Sequence, residues 1–92
     1  MASKMSTGEL LQIFGIVLAI GKSEHYSIVI EVDTEWNSLD LWLFHSENNQ
    51  DIGVTEYVTD KRSSFAEILG ILKEWTKIIV ADRGIGSKGD KS

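Results

Sequence analysis

The chain has neither cysteine nor proline in 92 residues. Without cysteine there is no disulfide, no thiolate and no zinc site of the usual cysteine-rich kinds, so packing alone must hold the fold. Without proline, no slow prolyl isomerisation limits folding and no rigid proline linker separates subdomains. A third absence is local. From Glu24 to Asp60 there is no Lys or Arg, yet the stretch holds nine carboxylates: Glu24, Glu31, Asp33, Glu35, Asp40, Glu47, Asp51, Glu56 and Asp60. A bilayer-spanning run, which needs about 20 apolar residues, is missing too.

What is present agrees with an ordinary globular protein: 42% apolar and 25% charged residues, enough for a single core. The net charge is −5, but it is unevenly placed. The middle block carries −9, residues 1–23 carry +1 and residues 61–92 carry +3. Such a distribution steers a cationic partner and repels a phosphate backbone. With nine basic residues against fourteen acidic ones, and no aromatic and basic residues interleaved along a strand, direct sequence-specific binding of nucleic acid is not expected.

The longest apolar run is Leu10 to Ile20, LLQIFGIVLAI, interrupted only at Gln12 and Gly15. Lys4 before it and Ala19-Ile20-Gly21 at its end imitate a secretory signal, whereas Glu9 beside the run argues against one. A core helix explains Glu9 better. Ser6-Thr7-Gly8-Glu9 is a capping box, in which the serine hydroxyl accepts from the backbone N–H three residues on and the glutamate reaches back. The helix then runs to about Ile20, with Gly21 in the left-handed position beyond its end. Apolar residues on nearly every side predict burial on more than one face. A strand over residues 15–20, paired with Tyr26 to Val32, is the competing reading, because Ile16, Val17 and Ile20 are β-branched.

From His25 to Asp33 the pattern alternates, with Tyr26, Ile28, Ile30 and Val32 on one face. A second alternating run sets Leu39, Leu41 and Leu43 against Asp40, Trp42 and Phe44. Pairing Thr34 with Leu39 puts Ile30 opposite Leu43, Val32 opposite Leu41, Glu31 opposite Trp42, Val29 opposite Phe44 and Asp33 opposite Asp40. A weaker third strand, Ile52 to Val58, follows the polar turn Ser46 to Asp51, with Ile52, Val54 and Val58 inward and Thr55 and Tyr57 outward. Ser64-Phe65-Ala66-Glu67 is a second capping box, and Phe65, Ile68, Leu69, Leu72, Trp75 and Ile79 repeat at helical spacing to about Ala81. The expected fold class is α+β: one small domain over residues 6–82, helix, antiparallel three-stranded sheet, helix (αβββα). Residues 1–5 are expected to be a disordered N-terminus and residues 83–92 a flexible C-terminal tail.

The candidate site is the outward sheet face: Glu31, Asp33, Glu35, Asp40, Trp42, Phe44 and Tyr57, aromatic anchors within a charged rim. The plainer alternative is that the first helix covers Val29, Trp42 and Phe44, leaving the acids as a solvated margin. Asp33, Glu35 and Asn37 start like a calcium loop, but Ser38 stands where glycine is needed and Phe44 where a bidentate glutamate is needed. Glu47, Asn48, Asn49 and Asp51 form another oxygen-rich loop without a recognisable pattern. Gly84-Ile85-Gly86-Ser87-Lys88-Gly89 spells a dinucleotide fingerprint, but too few residues follow for the helix that would hold the pyrophosphate. His25 is expected to be exposed and His45, of inward parity, to be a partnered or edge histidine. No spacing suggests a catalytic constellation, a metal or a cofactor, so an enzyme is not expected.

The profile is that of small inhibitors: phage-encoded proteins that block host nucleases by occupying nucleic-acid sites, or immunity proteins that neutralise toxins. This is an analogy of size and charge, without a motif. The expectation is therefore a cytoplasmic binding protein whose acidic surface docks on a basic, nucleic-acid-handling protein, with no membrane partner. The alternative is an assembly subunit that forms a homodimer or larger particle through Leu11, Phe14 and Leu18 of the first helix.

Overall fold

A computed structural model describes residues 5–47 and 50–91, and the side chains of these except at 51 and 85–91. Its elements follow the order α1 (Thr7–Ile20), β1 (Tyr26–Asp33), β2 (Ser38–Glu47), β3 (Gln50–Thr59) and α2 (Phe65–Lys91), with an antiparallel sheet in the order β1-β2-β3. This is the expected αβββα domain of the α+β class. Both helices pack on one face of the sheet, where Leu10, Ile13, Val17 and Ile20 of α1 and Ile68, Leu72, Trp75 and Ile79 of α2 meet Leu39, Leu41, Leu43 and Val58. Each fully buried large side chain there contributes roughly 1.5–3 kcal/mol of transfer free energy.

Both capping boxes form. The Ser6 hydroxyl accepts from the Glu9 N–H at 3.1 Å and the Glu9 carboxylate from the Ser6 N–H at 2.9 Å; the Ser64 and Glu67 pair repeats this at 3.2 and 2.8 Å. The two Ser64 contacts hold the Glu67 carboxyl below its ordinary range. Gly21 ends α1 at φ 70°, so residues 15–20 are helix and the strand alternative is excluded. Burial of α1 differs from expectation. Its core residues occupy a single face, while Leu11 is 64% and Leu18 77% exposed. The reason is the two-layer build: α1 has the sheet beneath it and α2 beside it, and among the described residues nothing lies above.

The inward parity of β1 and β2 is as expected, but the register is displaced by two residues. Val32 pairs with Leu39, Ile30 with Leu41, Val29 with Trp42 and Ser27 with Phe44; Glu31, rather than Asp33, lies opposite Asp40. The turn decides this. Asp33 Oδ1 accepts from the Glu35 and Trp36 N–H groups at 3.0 and 3.3 Å, and Asn37 closes the loop at φ 53°, a left-handed conformation that asparagine tolerates. The Asn37 amide also donates to the Met5 carbonyl at 2.6 Å. Met5 thus belongs to the core rather than to a disordered leading segment.

In β3 the expected alternation fails. Leu43 pairs with Glu56 but Phe44 with Val54, leaving Thr55 as an extra residue; His45 pairs with Gly53 and Ser46 with Asp51, leaving Ile52 extra. Each bulge reverses the facing of the residues beyond it. Val58 remains inward, whereas Val54 shares the outward side with Phe44, and both Val54 and Ile52 are at least half exposed. Gly53, at φ 138°, sits between the two bulges, where a side chain would be strained. Glu56, two residues before Val58 and on its side of both bulges, keeps inward parity, and its carboxylate accepts the Trp75 indole N–H at 2.7 Å.

The second helix continues past Ala81 to Lys91. Arg83, assigned to the tail by the sequence, donates to the Ile20 carbonyl at the end of α1. The dinucleotide-like residues 84–89 lie within α2, so no glycine turn precedes a helix there. Among the described residues, no helix is long and apolar enough to cross a membrane.

Candidate protein-docking face

With both helices on one side, the other face of the sheet is open. Strand pairing, with the bulge at Thr55, selects its residues: Ser27, Val29 and Glu31 from β1, Asp40, Trp42 and Phe44 from β2, and Val54, Tyr57 and the buried Thr59 from β3. The expectation that α1 covers Val29, Trp42 and Phe44 is therefore corrected. Covering a sheet with two helices on the same side leaves the opposite face to solvent, and Val29 and Tyr57 are both close to half exposed.

The centre of this face is an aromatic pair. Trp42 and Tyr57 are cross-strand partners with ring centroids 5.4 Å apart, tilted by 31°. Phe44 lies two residues along β2, flanked by Ser27 and Val54, and Val29 stands opposite Trp42. The rim is acidic. Glu31 and Asp40 are directly opposed, an arrangement that costs stability unless a cation relieves it. The Tyr57 hydroxyl donates to Asp40 Oδ1 at 2.6 Å, which fixes that carboxylate and raises the phenol above its ordinary range, with Thr59 and, less so, Arg62 acting the other way. Among the described residues, no Lys or Arg lies within 4.0 Å of Glu31 or Asp40.

Six of the seven sequence-selected residues thus have the outward parity of this face: Glu31, Asp33, Asp40, Trp42, Phe44 and Tyr57. Asp33 ends β1 and its carboxylate is engaged by two backbone N–H groups of the β1–β2 turn, in which Glu35 lies. Trp36, which the sequence pattern did not select, is 63% exposed at the same turn. Its signal was a tryptophan inside a polar turn, TEWNS, where no core lies within reach. Val54 was missed because a regular strand would have turned it inward.

Turn chemistry engages two of the candidate calcium-loop side chains. Asp33 serves the loop backbone and Asn37 serves Met5, and no group of three metal-ligating residues is gathered among the described residues. In the second oxygen-rich loop, Asn48 and Asn49 and the side chain of Asp51 lie outside the described residues.

The other polar cluster was not foreseen. His25, expected to be exposed, has a side chain 38% exposed but is also tied to α2: its backbone N–H donates to Asp82 Oδ2 at 2.9 Å and its Nδ1 lies 2.8 Å from Asp82 Oδ1. The Ser23 hydroxyl, followed by the two His25 contacts, lowers Asp82 to about 2 against the opposing effect of burial. Ser23 Oγ makes no hydrogen bond of good geometry, and the short His25 contacts define the tie. Asp82 in turn raises His25. His45, on the central strand, stacks on Tyr26 at 5.0 Å between centroids and approaches Glu47 at 3.8 Å, a partnered histidine of inward parity. This cluster joins the start of β1 to the far part of α2, and its interactions are those of a structural clasp.

Fold and face together describe a small two-layer α+β protein with one open, aromatic and acid-rimmed sheet face. No family model, curated protein or solved structure matches the chain.

Proposed function

We propose that this chain is a non-enzymatic, stoichiometric binding protein whose open sheet face occupies a basic, nucleic-acid-handling surface of a partner protein, in the manner of phage-encoded inhibitors or toxin-immunity proteins. The observation that carries the reading is the Trp42–Tyr57 pair beside the opposed Glu31 and Asp40 on a face that neither helix covers. Aromatic anchors supply contact area while the carboxylates take the Lys and Arg positions that phosphates would use. A cytoplasmic setting fits a chain without cysteine.

The test is capture on immobilised protein from a bacterial lysate, followed by identification and competition. The captured protein should bind nucleic acid, leave when salt is raised from about 0.05 to 0.5 M, and be displaced by an oligonucleotide. Charge reversal at Glu31 or Asp40 should abolish capture. A complex indifferent to salt, oligonucleotide and charge reversal would sink the proposal.

Leu11 and Leu18 favour a second reading, in which α1 packs against a copy of this chain. Light scattering decides it: a dimer that Leu11→Gln with Leu18→Gln converts to monomer supports assembly, and a monomer at all concentrations removes it.

A further inference from the structure

Resting on the docking face proposed above, we infer that the group recognised at its centre is an arginine side chain of a partner protein, with its guanidinium stacked on Trp42 and its N–H fork directed at Glu31 and Asp40.

Three observations meet at this point. Trp42 is the largest ring on the open face, and indole is the best side-chain platform for a cation. Tyr57 holds it at a 31° tilt and, through its hydroxyl, also holds Asp40. A second carboxylate, Glu31, is placed opposite Asp40 by strand pairing, with no basic group of this chain within ion-pairing distance among the described residues. Arg62, whose charge acts on the Tyr57 hydroxyl, forms no salt bridge with either carboxylate. Two opposed acids beside an indole present a flat apolar surface next to two acceptors.

Guanidinium matches that surface better than ammonium does. It is planar, weakly hydrated and able to stack while donating in its own plane, so it can lie on Trp42 and reach acceptors at the ring's margin at the same time. A lysine ammonium is strongly hydrated and gains from the charges but little from the indole plane. Phosphate is repelled. Placing one cation between Glu31 and Asp40 also relieves the like-charge opposition that this chain leaves unrelieved.

The experiment uses the full chain with two probes of equal charge, a hexa-arginine and a hexalysine peptide, at about 0.1 M salt. Binding is followed by titration and by the Trp42 indole N–H resonance. The arginine peptide should bind about five-fold or more tightly than the lysine peptide and shift the Trp42 resonance. Trp42→Ala should remove that preference, Trp42→Phe should retain part of it, and Glu31→Gln or Asp40→Asn should weaken both peptides. Retention of the preference in Trp42→Phe shows that the face still folds. Equal binding of the two peptides, lost only on charge removal, overturns the arginine assignment and leaves the acidic docking face standing. Binding of neither peptide overturns both.

Discussion

Two faces of one strand carry opposite fates. Along β2, Leu39, Leu41 and Leu43 are at most 1% exposed, whereas Asp40, Trp42 and Phe44, which alternate with them, are only partly buried. The strand geometry is the same for both sets. What differs is the cover: α1 and α2 lie over the leucines, and the Trp42 side has only the sheet's own cross-strand neighbours. Apolar character therefore does not by itself assign a residue to the core, since Trp42 and Phe44 are as large as anything on the covered side. An uncovered row of large side chains is the kind of surface that partners use.

The strongest way to break the comparison is to place a charge on each face in the same strand. Val58 is buried opposite Leu41, while Val54 lies opposite Phe44 on the open side. Val58→Asp should unfold the domain or cost more than about 4 kcal/mol, because an unpaired carboxylate would enter the core. Val54→Asp should stay within about 1 kcal/mol of the parent in a urea melt. Equal costs would mean that β3 has no bulge at Thr55.

The next effect comes from truncation on β2 itself. Leu41→Ala should cost about 2–5 kcal/mol, the usual range for a fully buried leucine. Trp42→Ala removes cross-strand contacts with Val29 and Tyr57 and should cost only about 0.5–1 kcal/mol of stability. Partner binding should show the reverse order, with Trp42→Ala losing about thirty-fold, the level of a central aromatic anchor, and Leu41→Ala losing little in its folded fraction. Thermal melts and titration on the same samples compare the two.

How far the two faces were legible in the sequence depends on which interactions set them. Alternation in YSIVIEV and LDLWLF is a local signal, and it assigned both rows of β1 and β2 correctly even though the register was displaced. The register lay in a turn whose deciding feature, Asn37 at positive φ, competes with several loops of similar composition. In β3, Gly53 in mid-strand was a readable sign of a bulge, but reading it as an ordinary strand residue turned Ile52 and Val54 the wrong way. Which face would be open was not a local property. LLQIFGIVLAI is apolar all round, so its composition left undetermined how many neighbours it would meet, and the tertiary arrangement supplied only one side. The tie between His25 and Asp82 spans 57 residues and left no pattern to read.

That tie offers a pH test of the covered side. Asp82 is lowered to about 2 from its ordinary 3.8, so its contribution is present above pH 3.8 and is lost as pH falls through about 2. His25 is raised from its ordinary 6.5, so its contribution is complete below that value and is lost as pH rises through the higher folded value. The clasp is therefore fully engaged between about pH 4 and 6.5. Melting temperature should decline from pH 6 to 8 in the parent, and His25→Gln should flatten that decline. His25 is partly exposed, which keeps the change modest, and an identical slope in both proteins would show that the clasp does not contribute.

The smallest effect has the opposite sign on the open face. Glu31 and Asp40 repel one another across the β1–β2 ladder, and a like-charge pair in that position costs about 0.2–1 kcal/mol. Glu31→Gln removes one charge without disturbing the Tyr57 to Asp40 hydrogen bond, so it should raise stability by that amount. On the covered side no single substitution of comparable size should stabilise, because the leucines there are already fully buried. If the open face is a docking site, the same variant should bind its partner more weakly while being more stable, the trade-off found where function retains an unfavourable local arrangement. A gain in stability with unchanged binding would assign the opposed acids to surface charge alone; a loss of stability would mean that Glu31 has a partner in solution, and the pair would then no longer be a site awaiting a cation.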